Sequence, residues 1–163
     1  MLFRSGEAGL LTLDFPQSKV MPAPHPESLQ ASIGFPAREF MRAKNGMNIV
    51  VLDTAKAVEG VQANMAAVLA LGGDGLVVTA PGEGEVDFVS RYFAPHVGIP
   101  EDPVTGATHT ALVPYWAKRL GKDVLTARQL SARGGTLECA IAGDRVKLSG
   151  HAVLYMKGTV YIT

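Results

Sequence analysis

One cysteine, Cys139, is all the thiol chemistry available to this chain of 163 residues. A single thiol excludes an internal disulfide framework and every two-cysteine metal motif, and it fits a reducing compartment. The four histidines, His25, His96, His109 and His151, are not spaced for a metal site, so no metal is expected. Charge of one sign is also lacking: fifteen basic and fifteen acidic residues cancel. Without a basic excess there is little to hold a nucleic-acid backbone, and no nucleic-acid partner is expected. Long apolar runs are missing too. Met65–Leu71 and Ile49–Leu52 fall far short of the ~20 residues needed to span a bilayer. No N-terminal stretch has the succession of charged, apolar and small residues that marks a secretory signal. These absences lead to the expectation of a soluble, cytoplasmic protein with no membrane partner.

The common catalytic signatures are equally absent. There is no Gly-x-Ser-x-Gly elbow, no phosphate loop ending in Gly-Lys-Ser/Thr and no dinucleotide fingerprint. Gly82–Gly84 leads into a strand pattern and reads as a turn. Cys139 lies in an alternating strand pattern with no His or acid arranged near it, which makes it a buried structural thiol rather than a nucleophile.

What the chain does have is a core. Hydrophobic residues make up 47% against 18% charged, enough for one globular domain, and 18 glycines with 10 prolines point to many short strands and tight turns. A turn at Ser5-Gly6 precedes a strand over Leu10–Phe15 that needs neighbours, either from later segments or from another chain. Four prolines make 16–26 the best linker. A short helix runs to Ile33 and stops at Gly34. Strands 38–43 and 48–52 flank Asn45-Gly46, the strongest short-range hairpin signal. Asp53-Thr54 and Asn64 are placed to cap helices over 55–59 and 65–71. Strands follow at 75–80 and 85–94, then at 125–132, 135–140 and 145–149, with turns at Gly134-Gly135 and Gly143-Asp144. Further strands are expected at 152–155 and 159–162. Short connections mean antiparallel pairing, so the class is α+β: a curved, mainly antiparallel sheet wrapped around a central helix.

That helix belongs to the most informative stretch, 101–122, EDPVTGATHTALVPYWAKRLGK. Asp102 and Thr105 are N-cap candidates. Ala111, Leu112, Tyr115, Trp116 and Leu120 recur at helical spacing. Lys118, Arg119 and Lys122 suit the negative end of the helix dipole, and Gly121 closes the helix. Pro114 should kink it. At the other end, the backbone N–H groups of Gly106, Ala107 and Thr108 lack intrahelical partners and can hold a carboxylate or phosphate, with Asp102 beside them. His109, one turn in, could reach that anion pocket or lie on the exposed helix face. Asp102, next to a positive dipole end, suits an orienting or proton-accepting role. One carboxylate alone is an incomplete site.

The run VDFVSRYFAPHVGIPEDPVTGATHTALVPYW closely resembles the signature of the phenazine-biosynthesis PhzF-like isomerases, relatives of diaminopimelate epimerase. Arg91, Phe93-Ala94-Pro95 and Glu101 through Gly106 meet the pattern, while Ala107 stands where that family usually has serine. ARQLSARGGTLECAI is similar to the family's late strands. The resemblance implies two pseudo-symmetric lobes whose helix N-termini face one cleft, and cofactor-free proton transfer on a small carboxylate substrate. It makes Asp102 the cleft carboxylate and Gly106, Ala107 and Thr108 the anion-holding turn, with His109 kept beside them as a candidate substrate-binding residue on its position in the helix alone. It also implies that the lobe bearing a catalytic glutamate is absent. Residues 1–16 then read as a remnant closing strand of that first lobe, and 17–163 as the C-terminal lobe alone. Such a half should associate, either as a homodimer or with a separate first-lobe chain. A catalytically inactive lobe that homodimerises and at most binds small carboxylates is the alternative.

Overall fold

The computed structural model describes residues 2–5 and 9–161; the turn expected at Ser5-Gly6 falls partly outside them. Eleven strands form one mixed sheet. In chain order they are β1 (Leu2–Ser5), β2 (Leu10–Pro16), β3 (Val20–Pro22), β4 (Glu39–Ala43), β5 (Asn48–Val51), β6 (Leu76–Pro81), β7 (Phe88–Ala94), β8 (Ile99–Asp102), β9 (Val124–Gln129), β10 (Gly135–Ala142) and β11 (Arg145–His151). Across the sheet the order is β1-β2-β11-β10-β9-β7-β6-β5-β4-β3, with β8 paired to β7 off this path. Helices α1 (Leu29–Ile33), α2 (Ala55–Gly60), α3 (Met65–Ala70) and α4 (Gly106–Leu120) complete the α+β chain, with a 3-10 turn at Pro95–Val97.

Local signals place most of these elements. Gly46, at φ 90°, turns β4 into β5, as the Asn-Gly pair requires. The side chains of Thr54 and Asn64 accept from the amides of Ala57 and Ala67, capping α2 and α3. Gly34 and Gly121 close α1 and α4 in the left-handed conformation.

Pairing is antiparallel except at two joints. β5–β6 is parallel because α2 and α3 carry the chain back between them, and β7–β9 is parallel with α4 as the crossover. The strand at Leu10–Pro16 is not orphaned: its partner β11 pairs with it from Arg145↔Pro16 to His151↔Leu10. The proline-rich stretch 16–26 is more than a linker, since it contains edge strand β3. Conversely, 152–161 forms no strand. Val153, Leu154, Tyr155 and Val160 stand 85–96% exposed, because nothing among the described residues offers those backbone groups a ladder.

The sheet separates two apolar layers. On one face, Ala111, Leu112, Val113 and Trp116 of α4 pack against Ile49, Val77, Phe88, Leu125, Leu137 and Leu148. On the other, Leu29, Ile33, Val58, Val61 and Val68 cover Val50, Leu76, Val78, Val89 and Phe93. Trp116 stacks on Phe88 at 5.9 Å, and its Nε1 donates to Thr79 Oγ1 at 3.0 Å.

Pro114 does not break α4, which runs as one helix through it. A proline removes the amide that would have bonded the carbonyl four residues back. That carbonyl, of Thr110, accepts instead from the backbone N–H of Ser18 at 3.0 Å. A segment from near the start of the sequence thus supplies the donor the helix lacks.

Candidate active site

The loop between β8 and α4 is held from three sides. Before it, Arg91 on β7 meets Glu101 bidentately, Nε to Oε1 at 2.7 Å and Nη2 to Oε2 at 3.0 Å, with both side chains at least four-fifths covered. Arg91 Nη1 also donates to the carbonyls of Val58, Glu59 and Val61 at the end of α2. One guanidinium therefore ties β8 to the end of α2. Ile99–Asp102 looks like loop in sequence because Pro100 interrupts it; the antiparallel match to β7 makes it a strand.

At the loop itself Thr105 occupies the N-cap position of α4 in an extended conformation, yet its side chain does not cap the helix. Its hydroxyl turns back and donates to Asp102 Oδ2 at 2.5 Å. No side chain caps the start of α4, so its first amides at Gly106, Ala107 and Thr108 have no side-chain acceptor. Ala107 is exposed and Gly106 half-buried, so this positive end of the dipole opens outward.

From beneath, Gln129 at the end of β9 is fully buried and grips the loop with both ends of its amide. Its Oε1 accepts from the Thr105 N–H at 2.9 Å, and its Nε2 donates to the Asp102 carbonyl at 2.7 Å and to Thr105 Oγ1 at 3.2 Å. Just beyond, Ser131 Oγ donates to the Pro103 carbonyl at 2.7 Å. A Cβ placed on Gly135 would sit 2.4 Å from Val104 Cγ2, so the loop approaches β10 this closely because residue 135 has no side chain.

Next to this loop runs a groove of about 700 Å³, with Leu11, Leu13, Val104 and Leu148 among its apolar walls and Gly106 and Arg133 on its lining. Arg133 is exposed, and it adds a cation to a wall that already carries a helix N-terminus. Such a groove suits a molecule with an apolar body and an anionic end.

The predicted residues divide. Asp102 and the turn at Gly106 are brought together through Thr105, and Gly106 reaches the groove. The Thr108 side chain is buried, its hydroxyl 3.6 Å from Met47 Sδ, so only its backbone can serve an anion. His109 is neither on an exposed helix face nor on the groove. It is fully buried beside Phe88, with ring centroids 5.9 Å apart, and its Nδ1 pairs with the Thr105 carbonyl at 2.8 Å. Burial pulls its pKa down to about 4, only partly offset by that carbonyl, so the ring is neutral and Nδ1 carries the proton toward the oxygen. His109 secures the N-cap residue from inside. Spacing contained this answer: 109, 112 and 116 lie on one helical stripe with Leu112 and Trp116. Cys139 is buried as expected, and burial pushes its thiol up to about 12.

Gln129 and Arg91 were not legible as site residues. A signal existed for Gln129, which continues the inward alternation of Leu125 and Ala127, so that a buried amide closes an otherwise apolar strand face. Among the described residues no cluster of three or more His, Cys, Asp or Glu is placed to hold a metal ion.

The chain matches the family model of the phenazine biosynthesis-like proteins over residues 6–158. It is similar to a protein described as an uncharacterized isomerase of Pseudomonas aeruginosa, 42% identical over 165 residues, covering 98% of this chain and 62% of the relative. A crystal structure of a PhzF-family phenazine biosynthesis protein from Enterococcus faecalis superposes with a TM-score of 0.88 at 37% identity, covering 96% of this chain and 60% of that one. A structure described as a putative phenazine biosynthesis PhzC/PhzF protein from Clostridium difficile gives 0.83 at 35%, with the same coverage. The chain thus spans about three fifths of the length of these relatives. That is more than a half, and the expectation of a C-terminal half alone is not borne out. The matched span and the shared fold lead to one assignment: the chain belongs to the phenazine biosynthesis-like protein family.

Proposed function

We propose that this chain contributes to a PhzF-like isomerase or epimerase site that moves a proton on a small carboxylate-bearing metabolite, without a metal or organic cofactor. In this reading the amides of Gly106, Ala107 and Thr108 receive the substrate's carboxylate, and Asp102 orients the substrate or accepts the proton at the reacting centre. The observation that carries it is the helix start left without a side-chain cap, beside a carboxylate already oriented by Thr105. A capped helix would spend those amides on its own side chain; here Thr105 is turned toward Asp102 instead. The adjoining apolar groove with Arg133 supports a small anionic substrate.

Residues that complete the acid–base pair are supplied, in this reading, by a second lobe of the two-lobe epimerase-like architecture. The test is solvent exchange: the purified chain, alone and mixed with the part of a relative that lies outside the match, is incubated in deuterated water with small carboxylates bearing an acidic C–H. Deuterium incorporation that Asp102→Asn abolishes is the expected result. No incorporation in either preparation would sink the catalytic reading.

A second reading, of a non-catalytic lobe that associates with its own kind, draws on the apolar segment 152–161, whose Val153, Tyr155 and Tyr161 are about nine-tenths exposed. Sedimentation separates them, since this reading requires a dimer that truncation at Ala152 dissolves.

A further inference from the structure

The geometry points to Gln129 as a positioning residue for Asp102, one that sets the direction of the hydrogen bond arriving at its carboxylate. This rests on the proposed role of Asp102, but the hydrogen-bond pattern that carries it does not depend on that role.

The inference follows from counting donors. Gln129 is fully buried, and an amide taken out of water is destabilising unless its donors and acceptor find partners. Its partners fix which end of the amide is which. The Thr105 N–H can only donate, so it must face Oε1; the Asp102 carbonyl can only accept, so it must face Nε2. A flipped amide would set donor against donor and acceptor against acceptor. With the orientation determined, the second Nε2 proton falls to Thr105 Oγ1 at 3.2 Å. A hydroxyl that accepts there has its single proton free to donate, and the acceptor in reach is Asp102 Oδ2 at 2.5 Å. The chain Gln129 Nε2–H to Thr105 Oγ1–H to Asp102 Oδ2 therefore runs one way.

The same residue clamps the loop at both ends, through the Asp102 carbonyl and the Thr105 amide, so the carboxylate and the start of α4 keep one relative position. Ser131 and His109 hold neighbouring carbonyls, of Pro103 and Thr105, but neither reaches the carboxylate of Asp102. An apolar residue at 129 would preserve the inward face of β9 and lose all of this. A glutamate would keep the acceptor for Thr105 N–H, remove the donor, and offer the Thr105 hydroxyl a competing carboxylate.

The test is NMR on the full chain at pH 7, comparing wild type with Gln129→Glu, Gln129→Leu and Thr105→Val. In wild type the Thr105 amide, bonded to buried Gln129, should exchange slowly. In Gln129→Leu it should exchange about 100-fold faster, with amides of β5 and β6 unchanged. In Gln129→Glu it should stay protected, while the Asp102 carboxyl 13C resonance moves to the position seen in Thr105→Val, because both changes take the hydroxyl proton away from Asp102. A residue that only fills space would alter the melting temperature without moving that resonance. If Thr105→Val shifts the Asp102 signal and Gln129→Glu leaves it at the wild-type position, the inference is wrong, even should Gln129→Leu fail to fold. Titration of the wild-type chain with sodium benzoate, followed on the amides of Gly106–Thr108, reads the proposed function separately. Silent amides there would count against the anion site while leaving the Gln129 result to stand or fall alone.

Discussion

Strands β5 and β6 are covered on both faces, whereas β9, β10 and β11 are covered on one, and the amino-acid patterns differ accordingly. Asn48–Val51 and Leu76–Ala80 are buried at every position, with odd and even residues feeding different apolar layers. In β9 and β11 buried residues alternate with exposed or half-exposed ones: Leu125, Ala127 and Gln129 point in, while Val124 and Arg128 do not. Continuous Val/Ile runs go with a sheet sandwiched between helices, and alternation goes with a sheet wetted on one side. The candidate site lies where the regimes meet. β7 joins them through its parallel pairing with β9, and α4 crosses between, so the loop before α4 is braced from the two-faced side by Arg91 and from the one-faced side by Gln129.

The comparison can be broken most severely by a charge. Val78→Asp places an unpaired carboxylate in a layer covered on both sides, and the chain should not fold at neutral pH, as circular dichroism would report. Glu138→Thr, on the wet face of β10, should change stability by no more than ~0.5 kcal/mol in the same assay. Comparable losses from the two would mean that the wet face is covered in solution. Next in size is Trp116→Ala, which removes the Phe88 stack and the Thr79 partner together and should cost about 3–5 kcal/mol in denaturant unfolding.

A slightly smaller effect is set by pH. His109 has a folded pKa of about 4 against 6.5 for the free side chain, so between those values the unfolded chain binds the extra proton. Stability contributed by the neutral ring is complete above pH 6.5 and is lost as pH falls toward 4, by on the order of 3 kcal/mol in total. His109→Gln should flatten that part of the stability–pH curve. An unchanged slope in the variant would assign the acid sensitivity to other groups.

Local chemistry explains what could be read in advance. Asn45-Gly46, Thr54, Asn64 and Gly121 each act within a few residues of themselves, so the hairpin, two caps and the end of α4 were legible. Asp102 and Gly106 were legible for the same reason, lying only four residues apart at the start of a helix. The parallel joints, the strand at Ile99–Asp102 and the pairing of β2 with β11 depend on partners distant in sequence. The strands expected at 152–155 and at 159–162, the last residue of which lies outside the described ones, are not formed over 152–161, because β-propensity describes side chains suited to a pleated surface and supplies no neighbouring strand. Gln129 escaped because an amide on a strand carries no motif; its meaning arises only when the loop 102–105 is laid over it.

The contact of Ser18 with Thr110 has a bearing on the order of folding. α4 is built from local contacts and can begin to wind early, but with Pro114 inside it the Thr110 carbonyl must stay bound to water until residues 17–18 arrive. That arrival closes a long loop, and such closures are slow relative to helix formation. The Thr110 carbonyl of the helix that presents the candidate site therefore reaches its final partner only once residues 17–18 have docked against it.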